Sequence, residues 1–279
     1  MTSLPSADRT GSQDRILGPL PAAPRAGRKT IRQMIQLDAN LAAVRSRIDD
    51  AAQSSGRNSS DVQLLPVTKS VSNEIASSLA RRGWLELAEN RAEGLATKVE
   101  ALRAQDLDVR WHFVGHLQRN KAARVVAEIT VLHSVDSLRL IETLERLTDA
   151  SGRSLAVYLQ VHLTCEAEKH GFAPDELAAA VARVQAAQHL ELLGLMAMGP
   201  REESTDVTTR GVFGRVVELG TTLAAEHASA FRDGRCRYSL GMSGDLEQAV
   251  RAGSTCIRIG GALYSGVDPQ QPEAEGAGA

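Results

Sequence analysis

The chain has 279 residues, 43% of them apolar and 24% charged, with a formal net charge of -2. That apolar fraction suffices for a buried core, and the near balance of charge gives no electrostatic ground for a nucleic-acid or acidic-membrane partner. No stretch approaches the roughly 18 consecutive apolar residues of a membrane span. The basic N-terminus lacks the apolar core of a secretory signal. Cys165, Cys236 and Cys256 show neither paired nor metal-like spacing, so the expected compartment is the reducing cytoplasm.

In chain order, residues 1–29 are rich in Pro, Gly, Ser and Arg without periodicity and read as a disordered extension. A helix follows from Ile31 to Gln53, with Ile35, Leu41, Val44 and Ile48 at helical spacing, ending near Gly56. Eight short apolar runs then read as strands: 62–68, 84–87, 111–115, 129–134, 155–161, 190–197, 235–240 and 255–259. Stretches with helical character lie between them, at 72–82, 90–104, 137–150, 174–187, 207–228 and 244–252. Strands alternating with helices imply βαβ units and a parallel sheet. Eight of them over roughly 235 residues fit a single TIM-type (β/α) barrel better than an open dinucleotide-binding sheet, whose glycine fingerprint is missing. The barrel is expected over residues 30–266, with 267–279 a disordered tail.

In such barrels the working residues stand at the C-terminal ends of the strands. Those ends hold Lys69, Glu89-Asn90, His116, His133, His162, Met196 to Gly199, Met242-Ser243 and Arg258 to Gly261. Of the 32 basic residues only five are lysines, namely Lys29, Lys69, Lys98, Lys121 and Lys169. A plain positive charge is thus supplied by arginine, whereas lysine alone can lose its proton and attack an aldehyde. Lys69 ends the apolar run LLPVT, where a desolvated mouth would favour the free amine; the plainer reading is a lysine paired with a neighbouring carboxylate. Ser243-Gly244 opens a helix, and Gly260-Gly261 directly follows the last strand. Glycines admit close approach of a ligand, and two such loops match the recurrent phosphate site of these barrels. One loop alone would be an ordinary glycine turn. His112 and His116 are four apart but straddle a strand end, so metal ligation is not expected of them. His133, His170, His189 and His227 read as structural or surface residues.

The segments VTKSVS, AENRAEG, WHFVGHLQRNK, EAEKHGF, ELLGLMAM, SLGMSGDLEQAVRAGST and IRIGGALYSG resemble, in order, those of the pyridoxal-phosphate homeostasis (YggS or PROSC) family. The resemblance runs from about residue 31 to 266. It implies a barrel like the alanine racemase N-terminal domain, a monomer, and pyridoxal 5'-phosphate held as a Schiff base on Lys69. It further implies Asn90 and Met196 beside the cofactor ring, Ser243 with Gly260 and Gly261 at the phosphate, and Arg258 at the pyridine nitrogen. This chain departs from the family pattern at Leu87-Ala88, at Glu93-Gly94, at Gly261 where a hydroxyl is common, and at His162 where asparagine is common.

Arginine only donates hydrogen bonds, so Arg258 would face an unprotonated ring nitrogen and weaken the ring as an electron sink. Racemisation also needs a second acid/base on the opposite face, which alanine racemases draw from a second domain and a partner subunit. The expected role is therefore cofactor binding, storage and delivery. The alternative is a specialised pyridoxal-phosphate-dependent enzyme, such as an amino-acid racemase, with amino acids as further ligands and His162 recruited to the mouth. A structural module with an unliganded Lys69 is a third reading.

Overall fold

The computed structural model describes residues 25–163, 170–200 and 208–267, the side chains of residues 25–30 excepted. Its strands are β1 (Gln63–Pro66), β2 (Glu86–Glu89), β3 (Arg110–Phe113), β4 (Ile129–Val135), β5 (Leu155–Gln160), β6 (Leu190–Met196), β7 (Arg237–Ser239) and β8 (Cys256–Ile259). They form one parallel sheet in the order β1-β8-β7-β6-β5-β4-β3-β2. A single parallel bridge, Val67↔Ala88, joins the two ends and closes the barrel. There the Thr68 amide donates to the Ala88 carbonyl at 2.8 Å.

The helices are α1 (Arg25–Ser54), α2 (Asn73–Arg81), α3 (Ala92–Arg103), α4 (Ala122–Val126), α5 (Leu138–Ser151), α6 (Leu177–Ala186), α7 (Thr209–Glu226), α8 (Leu246–Ala252) and α9 (Gly261–Tyr264). Among the described residues, none is long and apolar enough to cross a membrane. Apart from α1, which packs its stripe on α8 and α9, the helices cover the outer face of the sheet with apolar stripes, as parallel sheets require. In α5 that stripe is Leu140, Ile141 and Leu144. Its start is fixed by the Ser137 side chain accepting from the Leu140 amide, and its end by Gly152 in the left-handed conformation. The main core lies between helices and sheet. Two smaller clusters, Leu65-Val67-Ala88-Cys256 and Ala156-Tyr158-Leu193-Met196, are built only from strands and their ends and fill the barrel interior.

The TIM-type barrel agrees with the sequence expectation, with adjustments at the edges. The second strand lies at Glu86–Glu89 rather than 84–87. Trp84 and Leu85 belong to the turn after Gly83 (φ 87°), where the Trp84 amide bonds the Leu79 carbonyl and Leu85 is 50% exposed. The first helix begins at Arg25, before the expected boundary at residue 30. At the other end Val267 is fully buried and bonds back to Tyr264, although the tail was expected to begin there. The disorder expected of residues 1–24 and 268–279 lies outside the described residues.

Candidate functional site

Lys69 leaves the barrel two residues beyond Val67, and its side chain is exposed, not desolvated as the sequence led us to expect. The other two lysines with described side chains are both paired: Lys98 with Glu89 at 2.9 Å, and Lys121 with Glu93 at 3.0 Å. Lys69 has no carboxylate partner among the described residues. Next to it, buried Thr68 donates from Oγ1 to Glu89 Oε1 at 2.6 Å, so Lys98, Glu89 and Thr68 form a buried polar cluster between the barrel edge and α3. Asn90 follows directly, and its Oδ1 is buried without a hydrogen-bond partner. Gly115 is obligatory beside it, because a Cβ there would stand 2.1 Å from the Asn90 carbonyl oxygen.

Across the seam, Gly260 packs on the β1 exit: a Cβ there would meet the Val67 carbonyl oxygen at 3.3 Å. Ser243 Oγ accepts from the Ala262 amide at 3.0 Å, so the Ser243 loop and the Gly260-Gly261 turn share one rim. The hydroxyl keeps its own proton available to an oxygen ligand. The Tyr264 hydroxyl, one turn further on, is buried and unpartnered, and burial followed by nearby Glu89 pushes its pKa up. Buried polar atoms left without partners are uncommon and mark places where a polar ligand can enter.

Arg258, on β8, is 5% exposed and points into the barrel. Its Nη1 donates to the Ser239 carbonyl and, at 2.8 Å, to Ser239 Oγ; its Nη2 donates to the Ala197 carbonyl at 3.1 Å. All of these acceptors are neutral, and burial lowers the guanidinium pKa against the opposing pull of Cys256, Asp245 and Tyr158. A buried cation held only by neutral groups remains short of compensation and favours an electron-rich ligand. Met196 lies in the interior wall, its strand partner on one side being Ser239. The structure therefore brings Lys69, Asn90, Ser243, Gly260 and Gly261 to one rim, with Arg258 and Met196 below it.

Sequence reasoning missed the groups that hold Arg258. Ser239 Oγ lies 2.7 Å from His133 Nδ1, and His133 Nε2 lies 2.9 Å from His112 Nδ1. Both imidazoles are buried, as expected of structural histidines, yet they line the interior and not the outer core. The two-residue alternation of short strands could have signalled this. His162 does not stand free in the mouth: its Nδ1 lies 3.1 Å from the Gly171 carbonyl, which holds the ring against its own loop.

The profile of the family described as alanine racemase, N-terminal domain, matches residues 39–268. A Mycobacterium tuberculosis relative named pyridoxal phosphate homeostasis protein is 36% identical over 242 residues, which covers 80% of this chain and 90% of that one. PipY of Synechococcus elongatus, solved with PLP bound, is 30% identical with a TM-score of 0.70, covering 82% of this chain and 99% of PipY. An alanine racemase of Clostridium difficile superposes with a TM-score of 0.61 at 16% identity, over 82% of this chain and 56% of that one, a likeness of fold alone.

Proposed function

Because the chain belongs to the alanine racemase N-terminal-domain family, and within it to the pyridoxal phosphate homeostasis proteins, we propose that it holds pyridoxal 5'-phosphate as a Schiff base on Lys69 and serves to store and deliver it. The observation that carries this reading is a lysine without a carboxylate partner among the described residues, on the same rim as the Ser243–Gly261 cradle and above a buried arginine whose hydrogen-bond partners are neutral. The residues fit the group. Ser243 and the amides of Gly260 and Gly261 would take the phosphate, Arg258 the ring nitrogen, and Asn90, with its orphaned Oδ1, the ring edge near Met196.

Once bound, the cofactor supplies a reactive aldehyde carbon and, toward amino acids, an electron-withdrawing ring. Arg258 has no proton acceptor to offer and its hydrogen-bond partners are all neutral, so it would keep the ring nitrogen a pure acceptor and the sink weak. His162 is tethered to Gly171, which supports a packing role over proton transfer. Both favour a carrier over an amino-acid racemase. The carrier reading goes with a monomeric, cytoplasmic protein whose ligand is the cofactor itself.

The test is borohydride reduction followed by peptide mapping. The pyridoxyl group should be fixed on the peptide holding Lys69 and should be missing in Lys69→Ala. Its recovery on Lys98, Lys121 or Lys169 would refute the assignment. Incubation with amino acids in deuterated water separates carrier from enzyme: fast α-proton exchange that His162→Asn slows at least a hundredfold overturns the carrier role.

A further inference from the structure

Three residues from separate connections meet beside the mouth. His116 follows β3, Asp136 follows β4, and His170 lies in the connection after β5. His116 Nδ1 stands 2.9 Å from Asp136 Oδ2, and His170 Nδ1 stands 3.9 Å from the same oxygen. One donor atom from each residue falls within 4.8 Å of the others. The two imidazoles stack, with ring centroids 3.8 Å apart and planes 11° apart.

We propose that His116, Asp136 and His170 form a binding site for a divalent transition-metal ion of the zinc class, with water completing its coordination. Two imidazole nitrogens and one carboxylate oxygen are a borderline donor set, suited to zinc, cobalt, nickel or copper ahead of magnesium or calcium. With metal–ligand bonds of about 2.1 Å, neighbouring donor atoms lie roughly 3.0 Å apart at octahedral angles and roughly 3.4 Å apart at tetrahedral ones. The observed separations of 2.9 and 3.9 Å bracket those values. His170 supplies the remaining adjustment: its side chain is 57% exposed, so the ring can tilt out of the stack and turn its in-plane lone pair to a common centre.

Asp136 is the anchored member. Its side chain is 9% exposed, and its Oδ1 accepts from Ser137 Oγ at 3.2 Å, the outer contact that fixes a ligating carboxylate. An ordinary ion pair does not account for the second histidine. A single donor satisfies that contact, whereas a metal ion takes one lone pair from each ring together with the carboxylate oxygen. Neither ring has a hydrogen-bonding side-chain partner other than Asp136 among the described residues.

The probes are zinc chloride by calorimetry and cobalt(II) by visible absorption, on the full chain with and without its cofactor. One equivalent should bind in both states. Cobalt should give a spectrum of nitrogen and oxygen ligands without a thiolate charge-transfer band, and zinc should raise the unfolding temperature. His116→Ala and His170→Ala, both surface changes, should each weaken zinc at least tenfold, since loss of outer-shell support alone costs roughly tenfold to a hundredfold. A His189→Ala/His227→Ala double variant should bind as the wild type does. Failure of the wild type to bind either ion, or unchanged binding by a His116→Ala/His170→Ala variant, overturns the site.

Discussion

Two imidazoles shut inside a barrel make a demand on pH. Arg258 can only donate, so Ser239 Oγ accepts from it and passes its single proton toward His133 Nδ1. The network then assigns the next proton to His133 Nε2, donated to His112 Nδ1, and leaves His112 Nε2–H buried, unpartnered and 4.0 Å from Glu86 Oε2. The file thus runs one way, from Arg258 near the mouth to Glu86 at the start of β2. Burial, and secondarily the charge of Arg110, pushes His112 down to about 3 from 6.5. Burial, then His112 and Arg258, puts His133 well below its usual value. Above pH 6.5 His112 is neutral in both the folded and the unfolded chain. Between 6.5 and about 3 only the unfolded chain takes up the proton, so the folded state loses stability as pH falls. For His112 alone the loss from about pH 7 to about pH 5 is about 2 kcal/mol. Urea unfolding at pH 7 and pH 5 should show a smaller difference for His112→Gln than for the wild type, and equal differences would refute the neutral file. That Lys69 stands at a strand exit, though not its exposure, was legible from the apolar run before it. The file was not, because its members lie 21 and 106 positions apart and no spacing links them.

At the scale of elements, α1 carries the clearest lesson. Its helical spacing was readable, but the buried stripe is Leu37, Leu41, Val44 and Ile48, and Ile35 is 65% exposed. The apolar pattern admits both faces, and only the partners α8 and α9 choose between them. Those partners also give the helix a task. Asn40 Nδ2 donates to the Leu263 and Ser265 carbonyls, each at 2.8 Å, and Arg47 bonds both Glu247 and the Ser243 carbonyl. The helix therefore braces the two loops of the Ser243–Gly261 rim from behind. Asn40→Ala should destabilise the protein by about 1–2 kcal/mol, the worth of the hydrogen bonds it removes. Gln36→Ala, which removes only the exposed bond from Gln36 Nε2 to Asn40 Oδ1 at 2.9 Å, should stay within about 0.5 kcal/mol. Urea denaturation compares them, and a neutral Asn40→Ala would mean that the brace is idle. The short helices α4 and α9 escaped the sequence reading because five and four residues carry too little period. The eight strands did not escape it, because strands buried on both faces read as apolar runs.

For the whole molecule, the telling feature is where the barrel closes. β5 and β6 share the longest register, whereas β1 meets β2 through a single bridge and β7 meets β8 through a single pair, Ser239↔Cys256. Lys69 leaves one side of the β1–β2 joint and Asn90 the other. Of these two thin joints the β1–β2 clasp is the one flanked by the proposed site, and the cofactor would lie across it like a pin. Loading should slow hydrogen exchange at the Thr68 amide far more than at amides of β5, and equal protection of both would contradict the picture. The coupling is reciprocal. Whatever holds the cofactor keeps the clasp shut, and whatever parts β1 from β2 loosens the grip on the cofactor without touching it.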